Sequence, residues 1–516
     1  MAIVVSHIAS DFESLTQAAL RQVALADLIE LRLDHIGHPG KEQLKSFFQA
    51  CPKPVIVTIH GSEGFGDYSG TTEERLDLLY DAAEAGARFV DVDYRLSLEL
   101  GEVPAPSHRI VSRHELGGTP EDPAELDAML EEVRAVLYEG DVMKFITHAE
   151  STEDGLRYLR WLRTTKAVVG FCSGEAGTFT RALAPVFGSP FTYCAPALKR
   201  GESEEDGAHK TAPGQIRVND LRALQPPGGI NQETAIFGVV GNPIGHSYSP
   251  WVHGMALKGA RLDAIYVAFE PSNFDTFLDL ADDENYRGFS ITAPFKEDAF
   301  RRAIQPEEGA RRTAAVNTLV RESGGWRGSN TDVPAVRDTI LKALEFHAKR
   351  TDRSGGALGL HAAKVLILGA GGAARAAAWA MCGMGASVTV AGRTLARAEA
   401  VAADLSCRAI EWDAIPTEEY DVLIHTTPMG GVGFQDQLVI PAEWIRPDSV
   451  VLDAIYRPIK TVLLSAALER GATPVPGGEW FVRQAIAQFR LFTRGEPDEQ
   501  MMIKSFEHAH EALGNR

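Results

Sequence analysis

Cysteine is scarce in this chain: Cys51, Cys172, Cys194, Cys382 and Cys407 are five among 516 residues, and none forms a CxxC pair. A disulfide framework needs paired spacing, so an odd, sparse set reads as reduced thiols in a cytosol-like compartment. HxxxH spacing is missing as well, and without either motif no metal is expected. Basic charge is short: 51 Lys and Arg against 70 Asp and Glu leave a net charge of -19. That balance argues against a nucleic-acid partner, whose phosphates would need a basic face. Small anions stay compatible, provided a few arginines are held locally. The opening MAIVVSHIAS lacks the basic start and apolar stretch of a signal peptide. No apolar run approaches the roughly 18 residues of a membrane span. By elimination the expected location is the cytoplasm, with no membrane partner.

What is present fits a multidomain globular protein. The composition, 45% hydrophobic and 23% charged, is near the globular average, and 516 residues are too many for one core. Two or three domains are expected. Through the first 220 or so residues, β-rich runs (AIVVSHIA, LIELRLD, PVIVTIH, FVDVDYR, RIVSRHEL, VMKFITHA, AVVGFCSG, FTYCAP) alternate with amphipathic helical segments. Eight strands separated by helices is the pattern of a (β/α)₈ TIM barrel. On pattern alone, a doubly wound open sheet is the other reading. The segment ALQPPGGINQE, 223–233, breaks the pattern with two prolines and two glycines and is the expected linker. Farther on, EFHAKRTDRSGGALGLHAAK reads as an exposed loop leading into the strand KVLILG.

That strand opens the strongest local motif of the second half, KVLILGAGGAARAAAWAM. Gly369 permits a tight turn, Gly371 lets the backbone approach a pyrophosphate, and small Ala374 allows close helix–strand packing. Ala370, Gly372 and Ala373 complete the expected cofactor loop of a Rossmann unit. A second strand, ASVTVAGRT, follows at the right distance. At its end an NAD enzyme places an acid, whereas this chain has Arg393 and Thr394, with Arg397 one turn later. Two guanidiniums and a hydroxyl suit a 2′-phosphate, which favours NADP(H). The alternative for Arg397 is a solvated helix position.

Upstream lie GNPIGHSYSPWVHGMAL, GFSITAPFKE, AVNTLV and GSNTD, each a polar cluster ending an apolar run. Together they resemble the shikimate dehydrogenase family over roughly residues 234–505. The resemblance implies that Ser247 and Ser249 bind a substrate carboxylate. It assigns Thr292 to a ring hydroxyl, and Asn317, Tyr456 and Gln484 to further substrate contacts. Lys296 and Asp332 match its catalytic pair, and TTPMG, with Thr427 and Met429, its loop beside the cofactor. Hydride delivery to a ketone builds negative charge on oxygen, which a lysine beside a carboxylate can meet with a proton. Ser290 departs from the Asn of many members and resembles the fused plant dehydratase–dehydrogenases.

Residues 1–222 resemble type I 3-dehydroquinate dehydratases. Glu30 and Arg32 in IELRLD match the pair that grips substrate hydroxyls. His114 in VSRHEL matches the catalytic histidine, Lys144 in VMKFIT the Schiff-base lysine, and Arg181 the carboxylate clamp. TAPGQIRVNDL places Thr211 and Gln215 over the substrate. Lys144 alternates within an apolar strand, so it is expected to point into the barrel. Shut away from water, an ammonium is costly, and the neutral amine is the form that attacks a ketone. Two departures stand out. His60 occupies the substrate-contact position where the family has arginine. The family's acid that orients the histidine has no match in register, Glu63 being one residue short and Asp67 too far along.

The two resemblances together imply a bifunctional α/β enzyme: a TIM barrel followed by a two-domain shikimate dehydrogenase with a Rossmann NADP domain. The expected division is 1–222 barrel, 223–233 linker, 234–335 substrate domain, 336–480 NADP domain, and 481–516 helices returning to the substrate domain. Its partners would be small-molecule substrates (3-dehydroquinate, 3-dehydroshikimate, shikimate), and it would act as a monomer or homodimer. Other readings are a slow or respecified barrel, a ligand-sensing module, and a catabolic quinate or shikimate dehydrogenase using NAD.

Overall fold

A computed structural model describes residues 2–61, 66–198, 214–351 and 360–513. The chain divides into two units, Met1–Ala235 with Asp263–Asn285, and Ile236–Leu262 with Tyr286–Arg516.

In the first unit all eight expected strands form: β1 (Ala2–His7), β2 (Leu28–Arg32), β3 (Val55–Thr58), β4 (Phe89–Asp93), β5 (His108–Glu115), β6 (Val142–His148), β7 (Val168–Ser173) and β8 (Phe191–Cys194). They make one parallel sheet in the order β7-β6-β5-β4-β3-β2-β1-β8. Strands buried on both faces read as near-continuous apolar runs, as VVGFCS and LIELR do here. Among the described residues no ladder joins β7 to β8. Side chains bridge that seam instead: the rings of Phe171 and Tyr193 lie 5.8 Å apart, and Gly170 N–H donates to Ser189 Oγ at 3.2 Å. The architecture is therefore a nearly closed barrel, with helices such as Thr72–Ala85 and Thr152–Leu162 in the connections.

The 263–285 segment carries β10 (Ala264–Phe269) and belongs to this unit. The buried Glu153 carboxylate holds it, accepting from Ser272 N, Ser272 Oγ and Asn273 N at 2.8–2.9 Å.

In the second unit, β9 (Ala235–Val240), β11 (Tyr286–Ile291), β12 (Thr318–Glu322) and β13 (Gly325–Ser329) lie side by side in that order. A six-stranded parallel sheet follows: β14 (Lys364–Leu368), β15 (Ser387–Ala391), β16 (Arg408–Ile410), β17 (Val422–His425), β18 (Val450–Asp453) and β19 (Thr473–Val475). Its order, β16-β15-β14-β17-β18-β19, reverses direction beside β14, which is the doubly wound dinucleotide-binding topology.

One local expectation changes. The stretch EFHAKR, read as loop, is the last part of a helix spanning Asp332–Arg350. It contains no glycine and its one proline, Pro334, sits in the first turn where no helical N–H bond is lost. His347 and Ala348 near its end are buried, with His347 Nδ1 2.8 Å from Thr473 Oγ1. Ala223 and Leu224 close the helix Val218–Leu224, ahead of Pro226 and Pro227. No helix among the described residues is long and apolar enough to cross a membrane.

One buried charge anchors the barrel near the amino-terminal end of β5. Arg109 on β5 is 1% exposed, pairs with Asp141, and donates to the carbonyls of Ser97 and Gly101 at 2.6 and 2.9 Å. Removing one member of a buried pair leaves the other uncompensated, so Arg109→Ala should destabilise the barrel by about 3–5 kcal/mol. Urea unfolding would show this as a lowered midpoint; an unchanged midpoint would contradict it.

Candidate active site

The expected dehydratase residues gather at the C-terminal ends of the barrel strands, where side chains of successive strands converge. A cavity of about 50 Å³ is lined by Glu30, Arg32, His60, His114, Lys144, Arg181 and Gln215, joined by Ile146, Phe171, Ser173 and Tyr193. Thr211 and Glu63 lie outside the described residues. Lys144 and Ile146 share one face of β6 by strand alternation, and Ser112 and His114 are their neighbours on β5. Lys144 is 4% exposed.

Its ammonium is not alone, however. Lys144 Nζ donates to Asp91 Oδ2 at 2.7 Å, and Asp91 on β4 is fully buried. Burial pushes the Asp91 carboxyl above its ordinary range, while the lysine charge opposes the rise. Asp91 and Tyr193, whose ring lies 4.6 Å from Lys144 Nζ, are site residues that sequence reasoning missed. The signal for Asp91 was one of two acids, with Asp93, alternating with apolar residues in FVDVD.

Glu30 accepts from Thr58 Oγ1 at 2.7 Å, and Arg32 forks onto Asp34 at 2.8 and 2.7 Å. Burial alone would raise the Asp34 carboxyl, yet hydrogen bonds from His35 and Arg32 hold it at about 2. Arg181 Nε donates to the Gly214 carbonyl at 3.0 Å, beside Gln215, and burial brings its guanidinium down to about 10. Asp67 turns to His35, 3.1 Å away, rather than to His114.

The second unit holds a larger cavity, about 170 Å³, lined by Ser247, Ser249, Thr292, Lys296, Asn317, Asp332, Tyr456 and Gln484, among others. Lys296 and Asp332 each begin a helix, and Lys296 Nζ donates to Asp332 Oδ2 at 2.7 Å. Asn317 Oδ1 accepts from Thr331 N at 2.8 Å, and Asn330 Oδ1 from Asp332 N at 3.2 Å, so the GSNTD turn is braced before the carboxylate emerges. Burial raises the Tyr456 phenol to about 12, so it stays protonated. Gln488 was missed: its Oε1 accepts from Ser290 Oγ at 2.7 Å and its Nε2 donates to the Asn317 carbonyl at 2.9 Å. The departure at Ser290 is thereby absorbed by a second glutamine, one turn beyond Gln484.

The glycine loop borders this cavity through Ala373. Gly369 has φ +121°, and a Cβ there would meet Thr426 Oγ1 at 2.4 Å; one at Gly372 would meet Lys296 Cδ at 3.0 Å. The helix Gly372–Gly383 has Gly371 at its N-cap with no side-chain cap, and a Cβ on Gly371 would meet nothing within 4 Å. A bare helix N-terminus of this kind fits a pyrophosphate. Arg393, Thr394 and Arg397 stand exposed after β15, and neither arginine makes an ion pair among the described residues, which fits a 2′-phosphate. Thr427 of the expected cofactor loop is fixed from below. Buried His425 lies 2.9 Å from Asp453 Oδ1 through Nδ1 and 2.5 Å from Thr427 Oγ1 through Nε2. With Nδ1–H donating to the carboxylate, Nε2 accepts from the threonine. Met429 N donates to the same hydroxyl at 3.4 Å.

The geometry thus defines a barrel with an enclosed amine site and a dinucleotide-dependent oxidoreductase site. Residues 3–225 match the model of type I 3-dehydroquinase, 239–319 that of the shikimate dehydrogenase substrate binding domain, and 353–441 that of shikimate/quinate 5-dehydrogenase. The chain is 32% identical to the chloroplastic bifunctional 3-dehydroquinate dehydratase/shikimate dehydrogenase of Arabidopsis thaliana, over 91% of this chain and 78% of that protein. It is 36% identical to the NADP(+) shikimate dehydrogenase of Halobacterium salinarum over 50% of this chain and 93% of the relative. A solved shikimate 5-dehydrogenase from Thermus thermophilus, in complex with NADP(H) and shikimate, is 30% identical, with a TM-score of 0.47 over 54% of this chain and all of that one. The chain belongs to the bifunctional 3-dehydroquinate dehydratase/shikimate dehydrogenase family.

Burial, with Lys144, Arg32 and Arg181 beside it, holds His114 well below its ordinary 6.5. His60 is lowered the same way, by burial first and then by His114, Lys144, Arg32 and Arg75. As pH falls below 6.5 the unfolded chain takes up protons on these imidazoles that the fold refuses, so stability declines there and is fully present above it. The urea midpoint of the barrel should therefore be lower at about pH 5.5 than at about pH 7.5. Equal midpoints would contradict this balance.

Proposed function

We propose that this chain carries out two consecutive reactions, dehydration of 3-dehydroquinate to 3-dehydroshikimate in the barrel and reduction of 3-dehydroshikimate to shikimate with NADPH in the second unit. The carrying observation is the pair of lysine–carboxylate contacts, Lys144–Asp91 and Lys296–Asp332, each at 2.7 Å in its own cavity.

In the barrel, Lys144 Nζ adds to the ketone carbon and the carbonyl oxygen leaves as water, forming an iminium that acidifies the adjacent carbon. Neutral His114 takes that proton, the electron pair forms the ring double bond, and the departing hydroxyl takes a proton from His114 and leaves as water. Water then hydrolyses the imine and frees the amine. Arg181 is assigned to the substrate carboxylate and Glu30 and Arg32 to its hydroxyls; Thr211 and Gln215 keep their proposed place over the substrate.

In the second unit, Ser247 and Ser249 are assigned to the carboxylate, and Thr292, Asn317, Tyr456 and Gln484 to the ring. NADPH supplies the hydride. Lys296 donates a proton to the developing alkoxide, while Asp332 holds the ammonium in place and accepts from a neighbouring hydroxyl. Gly369, Ala370, Gly371, Gly372 and Ala373 would hold the pyrophosphate, Arg393, Thr394 and Arg397 the 2′-phosphate, and Thr427 and Met429 the far side of the dinucleotide.

The functional division we favour is 1–222, 223–233, 234–335, 336–480 and 481–516, as dehydratase, linker (its first two residues closing the helix Val218–Leu224), substrate domain, NADP domain and returning helices. Five free cysteines favour the cytoplasm, and we read the enzyme as a monomer or homodimer acting on small molecules.

Borohydride added with 3-dehydroquinate should trap one covalent adduct on Lys144, located by peptide mass spectrometry. Lys144→Ala should abolish dehydration and leave reduction of 3-dehydroshikimate at the wild-type rate. An unmodified Lys144 would reject the Schiff base.

A further inference from the structure

Among the described residues, no carboxylate backs the acid–base histidine of the barrel. Among the described residues His114 Nδ1 is buried without a hydrogen-bond partner, and Asp67, in the loop after β3, is committed to His35. With no hydrogen bond at Nδ1, the imidazole plane is not set from that side of the ring. What touches its ring is His60, at 4.8 Å between centroids and 74° between planes, the edge-to-face arrangement aromatic rings prefer.

His60 is itself clamped. Its carbonyl accepts from Tyr68 N at 3.3 Å, Arg75 Nε donates to the preceding Ile59 carbonyl at 2.8 Å, and Gly66 N donates to Gly61 O at 2.9 Å. A Cβ on Gly66 would lie 1.9 Å from the His60 carbonyl oxygen and 2.7 Å from its Cβ, so only a hydrogen fits there. Gly66 and Tyr68 thus press onto His60, which is 2% exposed and whose Nδ1 has no partner among the described residues either.

We propose that His60 is a positioning residue of the dehydratase: its ring, packed edge-to-face on His114, fixes the plane in which that imidazole meets the substrate held at Lys144. This rests on the assignment of His114 as acid–base group given above. It replaces, for His60, the role of substrate contact. The surroundings favour an uncharged ring pair. Lys144, Arg32 and Arg75 face His60, and Lys144, Arg32 and Arg181 face His114, so two protonated imidazoles in contact would add to a field already cationic.

Two variants separate ring packing from hydrogen bonding. His60→Phe keeps a ring and has no nitrogen; His60→Ala has neither. Steady-state dehydration should show kcat of His60→Ala down about 100-fold with KM within about twofold, since a misplaced catalytic group costs on that order. His60→Phe should keep kcat within about threefold of wild type. Far-UV circular dichroism and the urea midpoint report folding; if His60→Ala does not fold, His60→Phe alone decides. A His60→Phe enzyme that loses kcat as deeply as a folded His60→Ala, or about 100-fold against wild type when His60→Ala does not fold, overturns the proposal. So does one whose loss lies in KM, which would restore the substrate-contact role. A wild-type chain that does not dehydrate, or a His114→Ala that still does, would instead remove the reading beneath it.

Discussion

A primary ammonium enclosed in protein needs a counter-charge, and this chain meets that need twice with the same device. Lys144 leans on Asp91 and Lys296 on Asp332, each at 2.7 Å. The contact costs desolvation and returns geometry: the amine is held on one vector, at the wall of a cavity sized for a small polar ring. The surroundings then separate the two roles. Lys144 and Asp91 sit deep among strand side chains, with only 5% and 0% of their side chains exposed, which suits a nucleophile shielded from water. Lys296 and Asp332 are somewhat more open, at 16% and 10%, and both begin helices beside a glycine loop, which suits a proton donor working next to a diffusible cofactor.

The two pairs are placed differently: Lys144 and Asp91 are each the third residue of a parallel strand, β6 and β4, whereas Lys296 and Asp332 each open a helix. Parallel strands send their side chains to one carboxyl-terminal rim, and loops there can vary while the apolar ladders beneath stay packed. In the barrel, Glu30, His114 and Lys144 come from β2, β5 and β6, far apart in sequence yet lining one cavity. In the second unit the glycine turn after β14 is pressed so close to Thr426 and Lys296 that side chains at Gly369 and Gly372 would collide.

Much of this was legible in the sequence, because motifs such as VMKFIT, PFKE, GSNTD and GAGGAA combine a special residue with a strand or helix boundary. Asp91 was not, since an acid in a strand reads as a rim charge until its partner two strands away is known. Gln488 was hidden behind Gln484, its function visible only once Ser290 and Asn317 are seen to converge on it. His425 precedes a motif that was read, but its use depends on Asp453, 28 residues on, in the neighbouring strand. The helix end at Arg350 was masked by polar residues, because burial of His347 against Thr473 is a tertiary fact that local polarity does not report.

The central claim is that one chain holds both a working imine site and a working hydride-transfer site. The most direct measurement adds 3-dehydroquinate alone to the purified chain with NADPH and follows nicotinamide absorbance. The account requires NADPH to be consumed, with shikimate as the product, and NADH to serve less well. Absorbance that stays flat with 3-dehydroquinate, while 3-dehydroshikimate is reduced normally, would contradict it.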